Sequence, residues 1–141
     1  MPKLYKYKKI IDEYTTHTVQ GEGVLELCEI DGKTIICVPD NSRLEVPEKV
    51  KTLEELILTD AVKQVIKKNS DHIQLINRRV VEKIREKYDM NDEMKLIKKM
   101  LRFLVTKTAP DVGSLSEFNL YITHVDTCIT WGNEEKAKLG T

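Results

Sequence analysis

Ile73, Ile76, Val80, Ile84 and Tyr88 recur at spacings of three and four residues, and Met94, Ile97, Leu101 and Leu104 repeat that rhythm after a polar break. This is the period of an α-helix with one buried face, and no strand can satisfy it. The block from Thr59 to about Leu139 therefore reads as three or four amphipathic helices. Thr59-Asp60 caps the first, which runs to about Lys68; Asn69-Ser70-Asp71 breaks it and caps the second. Asp89-Met90-Asn91-Asp92 is the next break, with Asn91 as N-cap of a third helix that ends near Val105. Ala109-Pro110 and Gly113 place a loop over residues 106–114. Ser116 then caps a last helix, with Phe118, Tyr121, Ile122, Val125 and Ile129 facing inward and Gly132 either ending or weakening it. The expected core of the block includes Ile76, Ile84, Ile97, Leu101, Tyr121 and Val125, and this block is expected to carry the stability.

The segment before it is β-rich. Val24–Ile30 and Lys33–Val38 flank Asp31-Gly32, the pair that favours a type I′ hairpin because both central residues need φ > 0. A two-residue loop sets Ile30 opposite Lys33, Cys28 opposite Ile35 and Glu26 opposite Cys37. Cys28 and Cys37 then lie diagonally, about 7–8 Å apart, beyond an unstrained disulfide. Residues 4–10 read as an edge strand guarded by lysines, and Thr15 to Val19 as a second short strand. Residues 39–52 are the expected boundary, giving a β-rich part over 1–50 and a helical part over 51–141. Thr52 to Leu58 reads either as one capped helical turn or as an extended arm. The fold class is thus α+β: a small N-terminal antiparallel sheet followed by a helical bundle.

Length and composition bound the rest. The chain has 141 residues, with 40% hydrophobic and 33% charged, which suits one folded unit of ordinary size. Its 23 basic and 23 acidic residues cancel, but residues 1–50 carry −2, residues 51–110 carry +5 and residues 111–141 carry −3. A dedicated nucleic-acid binder is usually more basic, whereas complementarity within or between subunits fits this pattern. Three cysteines make no disulfide framework. No signal peptide or transmembrane run is read, so synthesis in the cytoplasm is the default.

Chemical motifs are sparse. Gly21-Glu22-Gly23 lacks a third glycine and leads into a strand, unlike a phosphate-binding loop. His17, His72 and His124 have no metal-ligand spacing among themselves or with the cysteines. His124 and Cys128 are neighbours at i,i+4, but a nucleophile also needs an orienting partner and an oxyanion site. No cofactor, metal or catalytic residue is expected. Arg78, Arg79, Lys95, Lys98, Lys99 and Arg102 form a basic stretch, read first as a salt-bridged solvated face and second as a phosphate-contacting one. Trp131 is read as a core or an interface anchor, and the charged tail after it, with Glu134, Glu135, Lys136 and Leu139, as a docking segment that adds little to the core.

Residues 76–85 (Ile-Asn-Arg-Arg-Val-Val-Glu-Lys-Ile-Arg), Asn91-Asp92-Glu93-Met94-Lys95-Leu96-Ile97, and Trp131-Gly132 with Glu135-Lys136-Ala137-Lys138-Leu139-Gly140 carry a resemblance. The chain resembles small accessory proteins encoded in the tail regions of phages and prophages. The hairpin ending in Val38-Pro39-Asp40 is similar too. Two departures stand out: Lys98 to Thr108 lengthens the helix and loop, and residues 126–130 lack an arginine before Trp131. The resemblance implies a non-catalytic assembly role through contacts with other tail or fibre proteins, or with further copies of itself. It implies a place in the host cytoplasm during synthesis and on the virion afterwards. The alternative is a small regulator that meets nucleic acid through the basic helices 78–102; no membrane partner is expected.

Overall fold

The computed structural model describes residues 1–141 and has an α+β fold in which a small antiparallel sheet precedes the helices. Strands β1 (Lys3–Tyr7), β4 (Leu25–Ile30), β5 (Lys33–Val38) and β6 (Glu54–Glu55) form one sheet in the order β4-β5-β1-β6. Strands β2 (Ile10–Ile11) and β3 (Thr16–His17) form a separate ribbon. Helices α1 (Asp60–Asn69), α2 (Asp71–Arg85), α3 (Met90–Thr106) and α4 (Val112–Ala137) follow.

The Asp31-Gly32 hairpin forms as expected, with φ of 51° and 76° at the two turn residues. Ile30 pairs with Lys33 and Cys28 with Ile35, but a β-bulge between Glu26 and Cys28 then shifts the register, so Glu26 meets Ile36 and Leu25 meets Cys37. The extra residue is Leu27, which the bulge leaves buried in the core. Cys28, Cys37 and Cys128 are free thiols, and burial raises the first two above the usual thiol range.

Strand β1 is not an edge. It lies between β5 and the two-residue β6, whose Glu54 meets Lys6 at 3.4 Å and Lys33 at 3.2 Å. Of the lysines that read as edge guards, Lys6 meets Glu54 on the arm and Lys9 meets Glu26 on β4 at 2.8 Å. Residues 52–58 take the extended alternative, and the Thr52 hydroxyl accepts from the Lys8 amide at 2.7 Å instead of capping a helix.

The chain divides into two units, residues 1–76 with 135–141 and residues 77–134, and not near residue 50 as the composition suggested. In the first unit, β5 is buried on both sides. Ile35 and Cys37 join Leu4, Leu27, Ile66, Ile73 and Leu139; Ile36 and Val38 join Tyr7, Val19 and Val50. A strand covered on both faces needs a continuous apolar run, which residues 35–38 supply, with Thr34 buried ahead of them. The tail expectation fails here: Leu139 is only 7% exposed and packs in this core. Gly140 follows it with φ +79°, and a Cβ there would come within 3.1 Å of Leu4 Cδ2.

Among the buried hydrophobic residues only Tyr121 and Cys128 belong to the second unit. The helical block supplies Ile66, Ile73 and Leu139 to the core of the first unit, while of its expected core residues only Tyr121 is fully buried. Helix α3 has no fully buried residue; Leu96, Ile97, Met100 and Phe103 are half-buried, while Leu101 is 51% exposed and Met94 and Leu104 also face solvent. Both faces of α3 carry apolar side chains, so the periodicity was satisfied by either. Ile76, Ile84 and Val125 are half-buried, and Ile122 and Ile129 are exposed.

Helix ends also differ from expectation. Asp89, not Asn91, caps α3, its carboxylate accepting from the Asp92 amide at 2.8 Å. Helix α4 begins four residues before Ser116. Asp111 accepts from the Ser114 amide at 3.0 Å and from the Ser114 hydroxyl at 2.7 Å, which satisfies the first turn. Gly132 is buried inside α4 and does not end it.

Candidate protein-contact surface

The second unit is built around α4. Ser114, Phe118, Tyr121, Val125, Cys128 and Gly132 are buried or half-buried in alternating steps of four and three, with His124 and Trp131 half-buried beside them. That is the spacing of one seam along a helix. The packing partners are aromatic and polar. Tyr88 meets Tyr121 edge-on at 5.1 Å and His124 at 5.6 Å, and Phe118 lies 6.1 Å from Tyr121. The Tyr121 hydroxyl donates to Glu93, which also pairs with Arg85. Burial, with the Glu93 carboxylate beside it, holds the Tyr121 phenol up at about 12, and the two donors hold Glu93 below the usual carboxylate range.

His124 and Cys128 do approach, with Nε2 3.7 Å from Sγ. The same Nε2 lies 3.1 Å from the Lys83 carbonyl oxygen. A carbonyl only accepts, so this contact requires a proton on Nε2, and a protonated nitrogen is no base for the thiol. The pair reads as a packing contact. His17 bonds Asp12 at 2.8 Å in the first unit, far along the chain from His124, and no three potential metal ligands converge.

The basic residues are placed as a surface. Arg78 and Arg79 are exposed on α2; Lys95, Lys98, Lys99 and Arg102 are exposed on α3. The ion pairs of this stretch join Arg85 to Glu93 and Lys99 to Glu117, the latter at 3.8 Å. Trp131 is half-buried beneath the Lys83 ammonium, 4.7 Å from the ring centroid. With Asp126, Thr130 and Glu134 it lines a groove of about 450 Å³ along α4. Glu134 is exposed, Glu135 pairs with Lys138 at 2.6 Å, and the Lys136 carbonyl accepts from the Leu139 amide at 3.0 Å. Of the proposed docking segment, then, Trp131 and Glu134 line a groove, while Leu139 is core.

The feature that sequence reading missed is apolar. Helix α3 exposes Met90, Met94, Leu101 and Leu104, and α4 exposes Val112, Leu115, Ile122 and Ile129. The signal was present as apolar residues on all sides of α4, a pattern that belongs to a helix buried all round. No helix of the chain is long and apolar enough to cross a membrane. Comparison of the chain with protein-family models, with curated proteins and with solved structures returned no match.

Proposed function

We propose that this chain is a non-catalytic assembly or accessory protein of a phage or prophage tail, acting through protein–protein contacts. The observation that carries the contact reading is the exposed apolar surface of α3 and α4. A surface of this kind on a folded chain is a binding face. The tail assignment rests on the sequence resemblance alone. The test is to delete the gene in its phage or prophage, then score tailed particles by negative-stain microscopy and the chain itself by immunoblot of purified virions and lysates. Missing or malformed tails are the expected result. Normal particles at full titre would refute the reading.

One observation favours a second reading. Arg78, Arg79, Lys95, Lys98 and Arg102 are exposed and form no ion pair, which suits a regulator that contacts phosphates. Asp89 and Asp92 at the start of α3 oppose it. Binding to duplex DNA that weakens steeply with salt would favour this reading over the tail role.

A further inference from the structure

We propose that a second copy of this chain covers the exposed faces of the second unit, α3 of one protomer packing against α4 of the other, reciprocally. The inference rests on the reading of this unit as a contact surface and names its partner.

Area comes first. The chain exposes 10005 Å². A folded monomer of this mass exposes about 7,500 Å² by the usual scaling, and even two separate globules of the sizes of the two units would expose roughly 9,000 Å². The excess over that generous reference, about 1,000 Å² for the whole chain, is comparable with the roughly 800 Å² that each partner contributes to a standard interface.

Spacing comes second. The outer stripe of α3 runs through the exposed Met90, Met94, Leu101 and Leu104 with the half-buried Ile97 at its centre, in alternating steps of four and three. The outer stripe of α4 includes Leu115, Ile122 and Ile129, each one position beyond a member of its buried seam. Helix α3 thus carries a stripe of coiled-coil spacing, and α4 offers one exposed apolar residue per heptad beside its own seam, with Asn119 and Asp126 between them.

Charge selects the partner. Helix α3 holds Lys95, Lys98, Lys99 and Arg102 against Asp92 and Glu93, while α4 holds Glu117, Asp126, Glu134 and Glu135 against Lys136. Lys95, Lys98 and Arg102 on the basic helix have no ion pair, nor do Asp126 and Glu134 on the acidic one. A basic and an acidic apolar stripe on the same chain are what a two-fold interface requires, since each patch meets the other on its partner.

The test is sedimentation equilibrium and light scattering of the full chain over a broad concentration range, with far-UV circular dichroism as a check of folding. The expected result is a closed dimer. Reversing the α3 charges (Lys95→Glu, Lys98→Glu, Arg102→Glu) or the α4 charges (Asp126→Lys, Glu134→Lys) should each weaken it roughly tenfold or more. Combining both sets should restore it, because the signs are again complementary. Ile122→Asp should yield a folded monomer. A wild-type monomer throughout, open-ended growth, or failure of the combined variant to recover would overturn the proposal. A monomer whose deletion still abolished tails would sink this inference and leave the assembly role standing.

Discussion

Replacing Ile66 by alanine tests where the stability of this chain resides. Ile66 is 0% exposed on α1 and packs among Leu4, Leu27, Ile35 and Ile73. Three carbons leave a dry site, which costs about 2.4 kcal/mol in transfer alone. The rigid sheet beneath them relaxes little, so the cavity adds roughly 1–2 kcal/mol, for a total of about 3–4 kcal/mol. Leu101→Ala removes the same number of carbons from a side chain that is 51% exposed, and should cost about 1 kcal/mol in the dissociated protein. Both are measured by urea unfolding at high dilution. Far-UV circular dichroism follows the whole chain, and Trp131, the single tryptophan, reports on the second unit. A Leu101→Ala loss equal to that of Ile66→Ala would refute the assignment of the main core to the first unit. So would an unchanged midpoint for Ile66→Ala.

Three further outcomes follow from the packing. Removing residues 138–141 takes Leu139 out of the core and should destabilise the first unit by about 2–4 kcal/mol; an unchanged urea midpoint would return the tail to a surface role. Gly140→Ala should lose about 1–2 kcal/mol, because φ +79° disfavours any side chain and Leu4 occupies the space a Cβ needs; thermal unfolding measures it. Glu93 has a depressed carboxyl, so its contribution is present above the unfolded value of about 4.5 and is lost as pH falls through its lower folded value. Glu93→Gln should therefore cost about 1 kcal/mol at neutral pH, and its gap to the parent protein should close on acidification; a gap independent of pH would show that the ion pair and the Tyr121 bond contribute nothing.

Local chemistry was legible in the sequence wherever the signal was short-range. Asp31-Gly32 dictates its own turn, and Thr59 caps α1 through the Val62 amide at 3.3 Å. The order of β-rich front and helical block followed from two different apolar periods, because a period of two and a period of 3.6 cannot serve the same element. The absence of ligand spacing was also readable, though it names no activity.

Tertiary structure decided everything that needed a choice between equivalent local solutions. Helix α3 carries apolar residues on adjacent faces, and only its neighbours determine that Leu96, Met100 and Phe103 turn inward while Leu101 turns out. The lysines of β1 suit an edge in isolation, and become internal because Glu54 and Glu55 arrive from a segment some fifty residues on. Leu139 looks solitary in a charged tail, yet it meets Leu4 because the chain's two ends return to one core. The α4 seam and the stripe beside it differ by one residue of phase. A sequence shows both, but which one the chain itself covers, and which it leaves exposed, depends on contacts between residues far apart in the chain.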